Sequence, residues 1–153
     1  MMHPDFSRAL AESIQETFEN MAFLETVPAE GENTPGVAEP MTARLEISFP
    51  AEGVVHLTLS APLLRSIGEI LHGSPAGELS RDDLQDLLFE LVNTIVGVTL
   101  NKFLPEDQTY GLGLPSGVDR NEPETGRVQR YAFLVDDTPV TVSVAGGILS
   151  REA

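Results

Sequence analysis

The sequence predicts an α+β fold: an antiparallel sheet packed with two long helices and a short helix, built as a pseudo-two-fold helix-plus-hairpin repeat. Three observations predict it. Two long segments, residues 6–24 and 81–102, carry apolar residues at helical spacing. Each is followed, after a Gly/Pro-rich stretch, by two segments in which apolar and polar residues alternate. The chain of 153 residues, 41% hydrophobic, is the length of one domain, able to bury roughly 70% of its unfolded surface. Residues 1–153 are therefore read as a single domain.

In the first helix Phe6, Leu10, Ile14, Phe18 and Met21 recur on one face. "VPAEGENTPGVAEP" after it reads as a loop, because Pro, Gly and Glu dominate it. "MTARLEISF" and "VVHLTLSA" alternate around the short "PAEG", which predicts an antiparallel hairpin. Ala43, Leu45, Ile47 and Phe49 share one face of the first strand; Val55, Leu57 and Leu59 share one of the second. Pro62 opens the short helix, Leu64, Ile67 and Leu71 form its apolar stripe, and Gly73 caps it. Ser80, with Asp83 three residues on, begins the long helix, which ends near Lys102 ahead of Pro105. "TYGLGLP" contributes a short strand and residues 116–126 a turn region. "VQRYAFLV" and "VTVSVAG" then form a second hairpin about "DDTP".

Composition narrows the function. No cysteine is present, so thiolate nucleophiles, disulfides and cysteine metal sites are excluded. Nine basic residues face 24 acidic ones, a formal charge of −15. Such a surface repels nucleic acid and anionic lipid, and the scattered Arg and Lys build no pocket for a small free phosphorylated substrate. A protein partner with a positive rim suits it better. The opening residues lack a secretory pattern and no long apolar run occurs, so a cytoplasmic protein is expected. The histidines are far apart in sequence, the glycines of "YGLGLPSG" lack a lysine and a following helix, and no nucleophile elbow occurs.

The chemistry lies in "DDLQDLLFELVNTIVG". At about 100° per residue Asp86, Glu90, Asn93 and Gly97 fall within roughly 60° of one another, opposite Leu84, Leu88, Leu91, Val92, Ile95, Val98 and Thr99. Acidic residues on an outer helix face are ordinarily plain solvated surface. This stripe also gives up helix stability, since Asn is a mediocre helix former, Gly97 costs about 1 kcal/mol relative to Ala, and Asp86 and Glu90 repel. A stripe that sacrifices propensity and charge balance suits a surface kept free for a partner, with Gly97 permitting close approach of another backbone. A carboxamide oxygen can hold and aim a water, and a carboxylate one turn away can grip an ammonium. Together they suit a reaction whose electrophile is activated elsewhere.

These residues carry a resemblance. Asp86, Glu90 and Asn93 in the spacing D-xxx-E-xx-N, continued by "NTIVG" and a downstream Pro115, resemble the signature of the CheC/CheX/FliY phosphatases of bacterial chemotaxis. The helix-and-hairpin order extends the similarity over nearly the whole chain, closest to the CheX type. The resemblance implies hydrolysis of the phosphoryl-aspartate on a response-regulator receiver domain. Asn93 would orient the attacking water and Glu90 would pair with the receiver's lysine. Asp86 and Gly97 would contact the partner, and Pro115 would fix the neighbouring loop. No cofactor of its own is implied; Mg²⁺ would come on the receiver. It also implies a homodimer through the sheets. In the first helix Ser13, Thr17 and Asn20 repeat the spacing with Thr where Glu belongs, a lapsed or structural copy, so one site is expected. The alternative is a non-catalytic CheX-like binding or adaptor domain for a receiver or another signalling protein.

Overall fold

The computed structural model describes residues 5–29, 36–73, 78–118 and 128–150. Helix α1 (Phe6–Ala22) starts where the Asp5 carboxylate accepts the Arg8 N–H at 2.7 Å and stops at Phe23, which adopts left-handed φ of 57°. A three-residue strand β1 (Thr26–Pro28) follows. Strands β2 (Pro40–Phe49) and β3 (Gly53–Ser60) form the first hairpin, with Leu45 opposite Val55 and Ala43 opposite Leu57. Helix α2 (Ala61–His72) has Pro62 in its first turn and Gly73 as its left-handed cap. Helix α3 (Arg81–Phe103) opens on a reciprocal cap: the Ser80 N–H donates to Asp83 at 2.9 Å and the Asp83 N–H donates to Ser80 Oγ at 3.1 Å.

Short strands β4 (Gly111–Leu112) and β5 (Ser116–Val118) lead to the second hairpin, β6 (Val128–Val135) with β7 (Thr138–Ala145), and a 3-10 turn at Gly147–Ser150 ends the described chain. Asp136 and Asp137 take φ of 48° and 64°. That pair of positive angles makes the tight turn whose twist matches the flanking strands.

The sheet is antiparallel in the order β1-β6-β7-β3-β2-β4, with β5 also on β2. Exchange β1 with β4/β5, β2 with β6 and β3 with β7, and the order reads the same backwards. The two halves therefore meet along the β3–β7 pair, where Val55 faces Val144 and Leu57 faces Val142. One sheet face carries Leu45, Ile47, Val55, Leu57, Val140, Val142 and Val144, all buried with the inward sides of the helices. The opposite face is mixed; Thr42 and Thr58 exchange a hydroxyl hydrogen bond at 2.7 Å there.

Some expectations change. Val27 and Pro28, read as the start of a loop, are strand together with Thr26: three residues show no period, and only pairing with β6 defines them. Residues 116–118, read as turn, pair with Thr42, Ala43 and Arg44; the rest of that turn region, from 119, lies outside the described residues. Phe49, assigned to the buried face, is 47% exposed, since it sits beyond a register shift where β2 meets β4. Leu71 is only half-buried, and Leu63 takes a place in the core.

Candidate functional site

The long helix lies with its apolar side against the sheet and α1. Leu84, Leu88, Leu91, Val92, Ile95, Thr99 and Leu100 are buried, as are Leu87 and Val96. That orientation leaves Asp86, Glu90 and Asn93 exposed on the outward face and Gly97 half-buried. No hydrogen bond or ion pair within the described residues engages Asp86, Glu90 or Asn93. Carboxylate and amide thus stand about one helical turn apart with their polar atoms in water. The arrangement can present an acceptor for an ammonium and, beside it, an amide oxygen that orients a water.

Gly97 is covered in part by the chain itself. The Tyr110 hydroxyl lies 3.5 Å from the Gly97 carbonyl oxygen, toward which it donates, and a Cβ placed on Gly97 would lie 3.7 Å from that hydroxyl. Pro115 is half-buried just before β5. At the other end of that segment Gly117 is pressed against the Gln85 side chain, where a Cβ would collide with the amide. Residues 110–117 therefore run alongside α3, from the level of Gly97 to that of Gln85. Tyr110 was not singled out in the sequence; a tyrosine in a loop carries no period that would reveal which helix it covers.

On the other flank, between α2 and α3, an open cavity of about 460 Å³ is lined by His72, Glu78, Asp83, Asp86 and Glu90 together with apolar side chains. Nothing in the periodicity of either helix shows that α2 ends beside this stripe. The Ser80 backbone and hydroxyl hydrogen bonds hold the Asp83 carboxyl below its ordinary range, with a small further contribution from His72. Among the described residues no group of three or more His, Asp or Glu side chains is placed to hold a metal ion.

Helix α1 does not repeat the stripe as its sequence suggests. Ser13 and Thr17 are buried, at 0% and 4% exposure, and only Asn20 faces out. Ser13 Oγ donates to the Ile95 carbonyl at 2.7 Å, and Thr99 Oγ1 donates to the same oxygen at 2.6 Å. Ser13 is therefore a packing residue between the long helices, and Thr17 is a buried residue of α1. Sliding α1 along α3 until the buried positions coincide sets Phe6 on Leu84, Leu10 on Leu88, Ile14 on Val92 and Phe18 on Val96. In that register Arg8 stands where Asp86 stands, Glu12 where Glu90 stands and Gln15 where Asn93 stands. Glu12 is engaged: Arg8 Nε approaches it at 3.2 Å and Lys102 Nζ at 3.8 Å, while Lys102 also holds Glu16 at 2.8 Å.

No protein-family model matches the chain, and no curated protein sequence matches it. Solved structures do. The chemotaxis protein CheX from Vibrio vulnificus is similar at a TM-score of 0.74 and 14% identity over 92% of this chain and 95% of that one. A CheC-like superfamily protein from Shewanella sp. PV-4 is similar at 0.71 and 15%, over 94% and 97%. The CheX–CheY–BeF3–Mg²⁺ complex from Borrelia burgdorferi contains a chain similar at 0.69 and 11%, over 92% and 97%. The class that this architecture defines is the CheC/CheX-type α+β fold. The chain has that fold along nearly its whole length, with the Asp86, Glu90 and Asn93 stripe on its outward helix.

Proposed function

We propose that this protein is a phosphatase of the CheC/CheX/FliY kind, acting on the phosphoryl-aspartate of a response-regulator receiver domain. One observation carries the reading: Glu90 and Asn93, at the spacing of the phosphatase signature, stand solvated and unengaged by described residues on the outward face of α3. The likeness of the fold to CheX, and the existence of a CheX–CheY complex from Borrelia burgdorferi, support a receiver as the partner.

The chemistry follows from what each side supplies. The receiver brings the phosphoryl group, the Mg²⁺ that offsets its charge, and a lysine. Glu90 accepts that lysine's ammonium, which registers the two surfaces. Asn93 accepts a hydrogen bond from a water through its amide oxygen and aims the water at phosphorus, opposite the aspartyl oxygen. Attack forms the new P–O bond as the aspartyl P–O bond breaks, releasing inorganic phosphate and a free carboxylate. Asp86 contacts the partner at the rim, Gly97 allows its approach on the side that the Tyr110 hydroxyl leaves open, and Pro115 shapes the adjoining loop. The surface charge of −15 is compatible with this chemistry because the positive groups belong to the substrate. No helix of the described residues is long and apolar enough to cross a membrane.

The test incubates phosphorylated receiver domains from the same genome with the protein and follows phosphate release. Accelerated release, abolished by Asn93→Ala, is the expected result. Receiver binding without any acceleration replaces the phosphatase with the adaptor reading; neither binding nor release removes the receiver altogether.

A further inference from the structure

The groove of about 460 Å³ between α2 and α3 opens directly on the outward stripe, because Asp86 and Glu90 belong to both. Its floor is apolar. Leu84 and Leu87 of α3 are buried there, and half-buried Leu79 rests on Gly68 of α2. A Cβ on Gly68 would lie 2.6 Å from the Leu79 side chain, so a larger residue there would push Leu79 out of that floor. The lining is otherwise charged: four carboxylates, from Glu78, Asp83, Asp86 and Glu90, with His72 as the one basic side chain among the described residues.

These carboxylates have different commitments. Asp83 accepts the Ser80 N–H at the helix cap, and Glu90 is the acceptor for the receiver's lysine in the reading above. Among the described residues Glu78 and Asp86 have no hydrogen bond or ion pair. Two such carboxylates at the rim of an apolar groove fit a long basic side chain, whose methylene stem packs on leucine while its cationic head stays among the oxygens.

We infer that the groove receives a second basic side chain of the receiver domain, an arginine or lysine apart from the lysine that pairs with Glu90. Leu79 and Leu84 hold its stem, and Glu78 and Asp86 hold its charge. Two observations name this occupant. The wall shared with Glu90 places the groove inside the same contact, and its charge selects a cation; a second copy of a chain with net charge −15 brings the wrong sign. The inference rests on the phosphatase reading and adds selectivity to it. Glu90 and Asn93 meet groups that the reaction itself uses, whereas the groove chooses among receivers by a residue that the reaction does not use.

The experiment measures receiver Kd by titration, and kcat and KM with the phosphorylated receiver, for the wild type, Glu78→Gln, Glu78→Lys and Glu25→Lys. Glu25 is exposed beside β1, outside the groove, and its reversal changes the net charge equally. Glu78→Gln should raise Kd and KM about fivefold and Glu78→Lys further, with the loss in KM rather than kcat, and the difference from wild type should shrink at high salt. Glu25→Lys should stay within about twofold of wild type. Because the chain has no cysteine, a photo-crosslinker on Glu78→Cys reports that position alone; it should capture a receiver peptide containing an arginine or lysine, and the same reagent on Glu25→Cys should not. Glu78 is exposed and unengaged by described residues, so its variants should melt with the wild type. Unchanged Kd and KM in Glu78→Lys beside normal wild-type turnover overturns the groove and leaves the phosphatase standing. Equal losses in Glu78→Lys and Glu25→Lys also overturn it, since overall charge would then be the cause. A wild type with neither receiver binding nor turnover removes the phosphatase reading and the groove's occupant with it.

Discussion

Helices α1 and α3 occupy equivalent places in the two halves of the molecule, bury the same pattern of positions, and present opposite outward faces. On α3 the outward residues are Asp86, Glu90 and Asn93, with no cation bound to them among the described residues. On α1 the positions in the same burial register are Arg8, Glu12 and Gln15, and the carboxylates of Glu12 and Glu16 are held by Arg8 and Lys102. Lys102 belongs to α3, so the long helix supplies the cation that closes the face of its counterpart. Exposed ion pairs of this sort add little stability; their consequence is that Glu12 already has partners. The comparison teaches that equivalence between halves is set by which residues are buried. Spacing alone points to Ser13, Thr17 and Asn20, two of which are buried, Ser13 against a carbonyl of α3.

The sharpest way to break the contrast is to exchange the amides. Asn93→Ala should lower kcat for receiver dephosphorylation about a hundredfold or more, the scale of losing one positioned hydrogen-bonding group, while receiver binding persists. Gln15→Ala should leave phosphate release unchanged, and a loss there would place the site on α1. Carboxylates come next. Glu90→Ala should weaken receiver binding by about tenfold, as expected for a charge-assisted contact, whereas Glu12→Ala should not, both read by titration with the receiver domain.

A smaller effect separates packing from function on α1. Ser13→Ala removes the hydrogen bond to the Ile95 carbonyl and should cost about 1 kcal/mol, or about 3 °C in Tm, with kcat unaltered. Replacing Lys102 by Met should change stability by less than about 1 kcal/mol, because the pair is exposed and screened by salt. Its hydrogen bond to Glu16, opposed by slight desolvation and helped by the charges of Glu16 and Glu12, raises the Lys102 ammonium above its ordinary range. The contribution is therefore present below the unfolded value and lost as pH rises through the folded one; denaturation followed into the alkaline range should show that limb flattened in Lys102→Met. The smallest effect is at the cap of α3. Since Ser80 holds the Asp83 carboxyl low, that contribution is present above the unfolded carboxylate value and lost as pH falls through the folded one. Asp83→Asn should reduce the acid dependence of stability over that interval.

Much of this was legible in the chain. The apolar sides of α1, α2 and α3, the Ser80–Asp83 cap, the Gly73 cap and both hairpins follow from period, capping chemistry and turn residues, all of which act over a few neighbours. The outward face of α3 was legible for the same reason: once Leu84, Leu88, Leu91 and Ile95 go inward, Glu90 and Asn93 have one direction left. Strands β1 and β5 were not legible, because three residues have no period and acquire their identity from a partner strand more than seventy residues away in sequence. Nor was the true register of α1 on α3, since Ser13 can face water or a carbonyl of another helix with equal local propensity.

The sequence by itself determined which residues form helices and hairpins, and which side of each turns inward, since local backbone preferences and apolar periodicity settle those within a few turns. Only the tertiary structure decided that Ser13 bonds to Ile95, that Lys102 occupies the carboxylates of α1, and that residues 110–117 lie along α3. Those outcomes depend on where distant segments meet, and that is set by the joint packing of two helices on one sheet, which no single stretch of chain encodes.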